Sequence, residues 1–336
     1  MTTIRDIARH AGVSVTTVSR TLREPEAVRR DKRDRVHAAI AELSYVPNAI
    51  AQQLRRPRAE AIIVIVPAID NPFFSGIIQS IENVAHELGY RVLIGETQGR
   101  QERLDHYADM VTARLADGLI LLGSLLPTPV RSAFEAGRPV PIPLVLACER
   151  YDGLDCPSVT IDNAAAAEAA ADHLIRTGRQ RIATITGPLA NPLAMDRLAG
   201  FRAALQRAGM TADEEAVVEG NFSVESGHEG MQRLLSGPRR PDAVFCANDE
   251  MAIGAIRAAV TAGLSVPGEL AVVGFDDLRF GAFATPPLTT IRQPTAGIGE
   301  TAMRMMDAEL HQRGLSERQV VLPHELVVRG SSVVAA

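Results

Sequence analysis

The 336-residue sequence predicts an α/β protein: a small helical head, then a larger body of two doubly wound, parallel-sheet lobes. Three observations predict it. Residues 3–43 place apolar side chains at one-face helical spacing, interrupted by a glycine. From residue 61 onward, short apolar runs alternate with amphipathic stretches, the pattern of βαβ units. Hydrophobic residues make up 46% and aromatics 4%, with no Trp, which suits a core of Ala, Val, Leu and Ile and argues against a disordered chain.

The head reads as three short helices. Thr3 and Asp6 form a capping-box pattern, and Ile4, Ile7, Ala8 and Ala11 share one face. Gly12 ends that helix at a tight turn. Ser14 then caps a second helix, Val15–Leu22, with Val18 and Leu22 inward. A third helix is expected from Asp31 to Leu43, with Val36, Ile40 and Leu43 on its apolar side. Two short helices joined at a glycine turn and braced by a third make a helix-turn-helix.

Charge separates the head from the body. Residues 1–60 hold 12 Lys/Arg and 7 Asp/Glu, whereas the remainder holds 23 basic and 33 acidic residues. A basic head on an acidic body points to a polyanion partner for the head alone.

Residues 45–58 change character. Pro47 and Pro57 bracket about two turns of helical pattern, too short to be stable unaided. This is a linker that folds only when held. Beyond it, Ala61–Val66, Tyr90–Ile94, Gly118–Leu122, Arg181–Thr186, Ala243–Cys246 and Leu270–Phe275 read as buried strands. Helices are expected at Ser75–Leu88, Ala164–Arg176, Leu198–Ala208 and Glu250–Ala262. The stretch is long for one sheet and reads as two similar halves meeting near Asp162.

Cys148, Cys156 and Cys246 are scattered, so neither a disulfide framework nor a zinc site is expected. No metal and no cofactor are expected. The N-terminus lacks an apolar h-region and no run is long enough to span a bilayer, so the expectation is a cytoplasmic chain without membrane contact. Phosphate-loop, dinucleotide, zinc-protease and nucleophile-elbow motifs are absent. His173 and His228 have no nucleophile partner by motif and are expected on the surface. An enzyme is therefore not expected.

The run Thr3-Ile4-Arg5-Asp6-Ile7-Ala8-Arg9-His10-Ala11-Gly12-Val13-Ser14-Val15-Thr16-Thr17-Val18-Ser19-Arg20, followed by Leu43-Ser44-Tyr45-Val46-Pro47-Asn48, resembles the signature of the lactose/galactose repressor (LacI/GalR) family. The likeness extends over essentially the whole chain. It implies a DNA-binding transcription regulator with a periplasmic-binding-protein-like body, working as a homodimer on palindromic operator DNA. The second helix would lie in the major groove, where base edges are distinguishable. Val15, Thr16 and Arg20 are the implied base readers: Val15 suits a thymine methyl, and Arg20 has both guanine and phosphate open to it. Thr3, Ser14, Thr17 and Ser19 would set register on phosphates, with a solvated helix face as the alternative for Thr17 and Ser19. The linker resembles the family's hinge helix, with DNA contacts at Asn48, Ala51, Leu54 and Arg55. There Leu54 would wedge into a base step and kink the duplex, or else pack on its own domain.

The resemblance also implies an effector cleft. Val66 to Ser75 joins a strand to a helix and brings Asn71, Phe73 and Phe74. Arg197, Phe222, Asn248 and Asp276 match ligand positions, and a carboxylate such as Asp276 can accept two neighbouring hydroxyls. Gln293 either touches ligand or lines the hinge. The implied divisions are 1–45 for the head, 46–60 for the hinge, 61–161 with 293–323 for the N-terminal lobe, and 162–292 with 324–336 for the C-terminal lobe. Two segments, Asp70 to Ser75 and Asn191-Pro192-Leu193, are most similar to those of the cytidine, purine and ribose repressors of that family. They point to a nucleoside or pentose effector. Another sugar stays open, as does, more remotely, a solute-binding protein with no regulatory role. No C-terminal heptad run precedes Ala336, so a tetramer is not expected.

Overall fold

A computed structural model describes residues 2–45, 58–211 and 214–333. The chain divides into two compact units, Met1–Ala59 and Glu60–Ala336.

The first unit holds α1 (Ile4–Ala11), α2 (Val15–Arg23) and α3 (Arg30–Glu42). Thr3 and Asp6 cap α1 reciprocally: the Thr3 N–H donates to the Asp6 carboxylate at 2.9 Å, and the Asp6 N–H donates to the Thr3 hydroxyl at 3.4 Å. Gly12, at φ 63°, supplies the left-handed residue that ends α1. The Ser14 hydroxyl accepts from the Thr17 N–H at 3.1 Å and starts α2. Ile7, Ala8, Ala11, Val18, Val36 and Ala39 form the core, with Leu22 and Ile40 packed against it. Asn48, Ala51, Leu54 and Arg55 lie outside the described residues.

The second unit contains two six-stranded sheets. The first is built from β1 (Ala61–Val66), β2 (Arg91–Glu96), β3 (Gly118–Leu121), β4 (Leu144–Ala147) and β5 (Ser158–Ile161), and carries α4 (Phe73–Leu88), α5 (Gln101–Thr112) and α6 (Thr128–Glu135). The second holds β6 (Ile182–Thr186), β7 (Val217–Glu219), β8 (Ala243–Cys246), β9 (Ala271–Asp276) and β10 (Thr289–Arg292). Its helices are α7 (Asn163–Arg176), α8 (Pro192–Arg207), α9 (Val224–Ser236) and α10 (Asp249–Thr261). The chain then returns to the first sheet through α11 (Thr295–Leu310) and β11 (Gln319–Leu322). β12 (Glu325–Val327) closes the second sheet.

Strand orders are β11-β5-β4-β3-β1-β2 and β12-β10-β9-β8-β6-β7. Pairing is parallel except where β12 runs antiparallel to β10, with Ile291 opposite Leu326. The chain thus passes between the sheets after Ile161, after Arg292, and between Leu322 and Glu325. Parallel strands buried on both faces explain the unbroken apolar runs: every residue of β1 and β9 is buried. β4, β5, β7, β10, β11 and β12 are not among the runs expected from the sequence; each offers only three or four residues, as do β3 and β8, which the sequence does mark.

Two expectations need correction. His173 is buried rather than on the surface, and its Nε2 lies 2.7 Å from the Ser332 hydroxyl. Burial holds its imidazole below the usual range, so it stays neutral at pH 7 and serves as a polar joint to the C-terminal segment. The helix expected at Leu198–Ala208 starts at Pro192. Proline at its first position and the Asn191 side chain, accepting from Leu193 N at 2.9 Å, start it six residues earlier.

Glycines allow the helices of the second lobe to approach. A Cβ at Gly254 would collide with the Val224 carbonyl, and one at Gly227 with the Met251 backbone, so α9 and α10 pack almost backbone to backbone. A Cβ at Gly200 would meet the Ala164 carbonyl, which draws α8 onto α7. These close pairs set where the residues at the helix starts point.

Candidate functional site

In the first unit, α2 presents a nearly polar outer face. Val15, Thr16 and Arg20 are exposed, Thr17 and Ser19 are half-buried, and Val18 faces the core. Val15 is 38% exposed on the first turn and is not among the described apolar residues that pack the unit's core. The Thr3 hydroxyl donates to Asp6 at 2.6 Å, and the Ser14 and Thr17 hydroxyls lie 2.9 Å apart. These three hydroxyls already serve the helix starts, so among the described residues the hydroxyl left open at the tip of α2 is that of Thr16. Arg20 Nε stands 3.9 Å from Glu24, an exposed pair too weak to hold the guanidinium back from another acceptor.

In the second unit, a cleft of about 850 Å³ opens between the carboxyl ends of the two sheets. That is where open α/β sheets bind ligands, since the helices that follow the strands aim their N-termini there. Asn71, Phe73, Phe74, Arg197, Phe222, Asn248 and Asp276 all line it, drawn from both lobes. Gln293 does not line it but reaches it indirectly: its Nε2 donates to Asp276 Oδ1 at 2.7 Å.

The aromatic members differ in role. Phe73 is buried in the first lobe's core, while Phe74 is half-buried and meets its edge at 5.2 Å between ring centroids. Phe222 sits at φ 69°, a left-handed conformation rarely tolerated by a bulky residue. Two contacts hold it. Its carbonyl accepts from Asn248 Nδ2 at 2.8 Å, and its ring occupies the space a Cβ on Gly187 would need. Asn248 therefore positions Phe222, and its own Oδ1 caps α10 through Met251 N at 2.9 Å.

Arg197 is 4% exposed. Its Nε donates to Asn163 Oδ1 at 2.9 Å, Nη1 donates to the Ala247 carbonyl at 2.5 Å, and its guanidinium carbon lies 3.6 Å over the Phe275 ring. Asp276 stands near it at φ 109°, another strained backbone position. Burial pushes the Asp276 carboxyl up to about 7, against the pull of Arg197 and Gln293.

Glu149 is a cleft residue that the sequence motifs do not mark. It follows β4, is 3% exposed, and lines the cleft. Burial raises its carboxyl to about 7, opposed by the Asn191 side chain and Arg197 of the other lobe. A signal was nonetheless present: an acid directly after the wholly apolar run Leu144-Val145-Leu146-Ala147-Cys148 has to be buried or at a strand's end. Asp249 is also fully buried and held well above the usual carboxylate range, chiefly by burial. It accepts from Leu278 N at 2.7 Å and from the Thr290 hydroxyl at 2.6 Å, pinning the loop after Asp276.

Among the described residues, no group of three or more His, Cys, Asp and Glu could hold a metal ion, and no helix is long and apolar enough to cross a membrane. Buried carboxyls, one guanidinium and several rings, without an activated nucleophile, make a binding cleft. Fold and site together define a protein with a helix-turn-helix unit and a two-lobed small-molecule-binding unit.

Known proteins share both parts. Residues 3–48 match the model of bacterial regulatory proteins of the lacI family, and residues 171–332 match a periplasmic binding protein-like domain. The HTH-type transcriptional repressor CytR of Escherichia coli K12 is 39% identical over 330 residues, covering 98% of this chain and 96% of the relative. The ribose operon repressor of the same strain is 36% identical over 332 residues, covering 99% and 100%. A crystal structure of the lac repressor dimer bound to operator and the anti-inducer ONPF superposes with a TM-score of 0.86 at 31% identity, covering 99% of each chain. The chain belongs to the lacI family of bacterial regulatory proteins and is a DNA-binding transcriptional repressor.

Proposed function

We propose that this repressor acts as a homodimer on a palindromic operator and is controlled by a nucleoside or pentose bound in the interlobe cleft. The observation that carries the effector reading is the set of Phe74, Phe222 and Asp276 in one cleft, with Arg197 beside Asp276. Rings offer faces to a flat or weakly polar group, and a buried carboxylate accepts a vicinal diol. The similarity to the ribose operon repressor and to CytR favours the same ligand class.

On DNA, Val15, Thr16 and Arg20 read bases and the backbone amides at helix starts meet phosphate. Leu54 wedges a base step, and Asn48, Ala51 and Arg55 flank it. Ligand closes the lobes and biases the hinge, residues 46–60, toward or away from its DNA-bound form. A hundredfold change in operator affinity requires a coupling of about 2.7 kcal/mol, within the ordinary allosteric range.

The test has two arms. Selection of bound duplexes from a random pool should return a palindrome, and sedimentation should give a dimer; a stable monomer that binds operator tightly refutes the paired reading. A thermal-shift screen of nucleosides and pentoses should find a member that raises Tm, because a ligand of the folded state stabilises it by mass action. Silence of all of them, with a response to hexoses, would move the effector to another sugar.

A further inference from the structure

We infer that the cleft selects an uncharged ligand and turns away the phosphorylated form of the same sugar or nucleoside, because its helix N-termini are capped by its own side chains and its lining guanidinium is committed inside the protein. This rests on the nucleoside or pentose effector proposed for the cleft and adds the charge class of the ligand.

Helix N-termini are the usual phosphate sites of such folds, since free backbone N–H groups and the helix dipole both favour an anion. Four helices begin at residues lining this cleft, and at each start a side-chain oxygen accepts from one of the first N–H groups. Asn71 Oδ1 accepts from Phe73 N at 2.9 Å at α4, and Asn191 Oδ1 accepts from Leu193 N at 2.9 Å at α8. The Ser223 hydroxyl accepts from Ser226 N at 3.1 Å at α9, and Asn248 Oδ1 accepts from Met251 N at 2.9 Å at α10. At each start one amide is thereby taken and a partly negative oxygen already stands at the helix end, which makes the start a poorer anion site than an uncapped one. The α5 start at Gln101 carries no side-chain cap, but neither Arg100 nor Gln101 is among the described residues that line the cleft.

Charge points the same way independently. Among the described residues, the charged side chains lining the cleft are Asp70, Glu149, Glu225, Glu250 and Asp276 against Arg197. Arg197 already donates to Asn163 and Ala247 and faces Phe275, Glu149 and Asp276, so among the described residues lining the cleft no free cation is left for an incoming anion. Asp70 of the first lobe and Glu225 of the second each stand near enough to Glu250 to act on it. Burial and those two neighbours raise the Glu250 carboxyl. A dianionic phosphate would meet like charge from both lobes.

The experiment compares matched pairs on the full-length protein by calorimetry: ribose with ribose 5-phosphate, cytidine with cytidine 5′-monophosphate, adenosine with adenosine 5′-monophosphate, and glucose with glucose 6-phosphate. The neutral member of the responsive pair should bind about tenfold or more tightly than its phosphate. That gap should narrow in the E225Q/E250Q double variant and in high salt. A phosphate that binds as well as its parent overturns the inference, as does a gap unmoved by both charge removal and salt, which would make the exclusion steric. The two readings fail separately. A response confined to the glucose pair retires the nucleoside and pentose reading and leaves the charge rule to be decided by that pair.

Discussion

Gln293 donates its side-chain amide to Asp276 across 2.7 Å, so the residue at the second passage between the lobes holds the carboxylate that faces the cleft. A strained, buried acid is thereby tied to the hinge. Replacing Asp276 with Ala should abolish the ligand response while operator affinity in ligand-free protein stays near wild type. Gln293→Leu should weaken ligand binding less, by at most about 1.5–3 kcal/mol for one lost hydrogen bond to a charged group. Operator titrations with and without ligand check both; equal loss of operator binding in the absence of ligand would assign Asp276 to folding.

Gly187 makes room for the Phe222 ring. Gly187→Ala should push that ring from its place and lower ligand affinity about tenfold or more, with a stability cost of about 1–3 kcal/mol for overpacking. Calorimetric titration beside a melting curve separates the two effects. Unchanged ligand affinity would show that the ring takes no part in binding.

The part of the body's stability that comes from Glu149 and Asp276 should fall as pH rises. Glu149 and Asp276 carry folded-state values near 7, above the roughly 4 of free carboxyls, so the folded protein binds more protons than the unfolded chain between those values. Their contribution is complete below about pH 4 and is lost as pH climbs through about 7. Each kcal/mol lost should lower Tm by about 2–4 °C in a body of this size. Glu149→Gln, which cannot ionise, should flatten the profile between pH 5 and 8. A slope identical to wild type would place that proton uptake elsewhere.

Leu54→Ala should cost specific operator affinity and leave non-specific binding almost intact, because a wedge acts only on a kinked site whereas phosphate contacts act everywhere. Gel shifts on operator and random duplex at two salt concentrations decide it. Equal loss on both would mean that Leu54 supports the protein rather than the bend.

Much of the fold is legible in the sequence because its signals are local. Thr3 with Asp6, Gly12 and Ser14 mark helix ends within a few residues, and the apolar runs of β1 and β9 declare strands buried on both faces. The burial of His173 is not legible, since nothing within its own helix announces Ser332, which is 159 residues away. Glu149 escapes for a similar reason: the partners that make it a cleft residue, Asn191 and Arg197, belong to the other lobe.

By itself the sequence determined the head's three helices, several strands and helices of the body, the two-part organisation and the family, since capping, periodicity and a long signature are written in neighbouring residues. Only the tertiary structure decided which side chains meet ligand space and which merely hold others in place. Asn248 turned out to position Phe222, Gln293 to buttress Asp276, and Arg197 to be enclosed by Asn163, Ala247 and Phe275. The physical reason is that a side chain's role follows from its hydrogen-bond partners, and across two lobes those partners are set by packing at long range rather than by spacing along the chain.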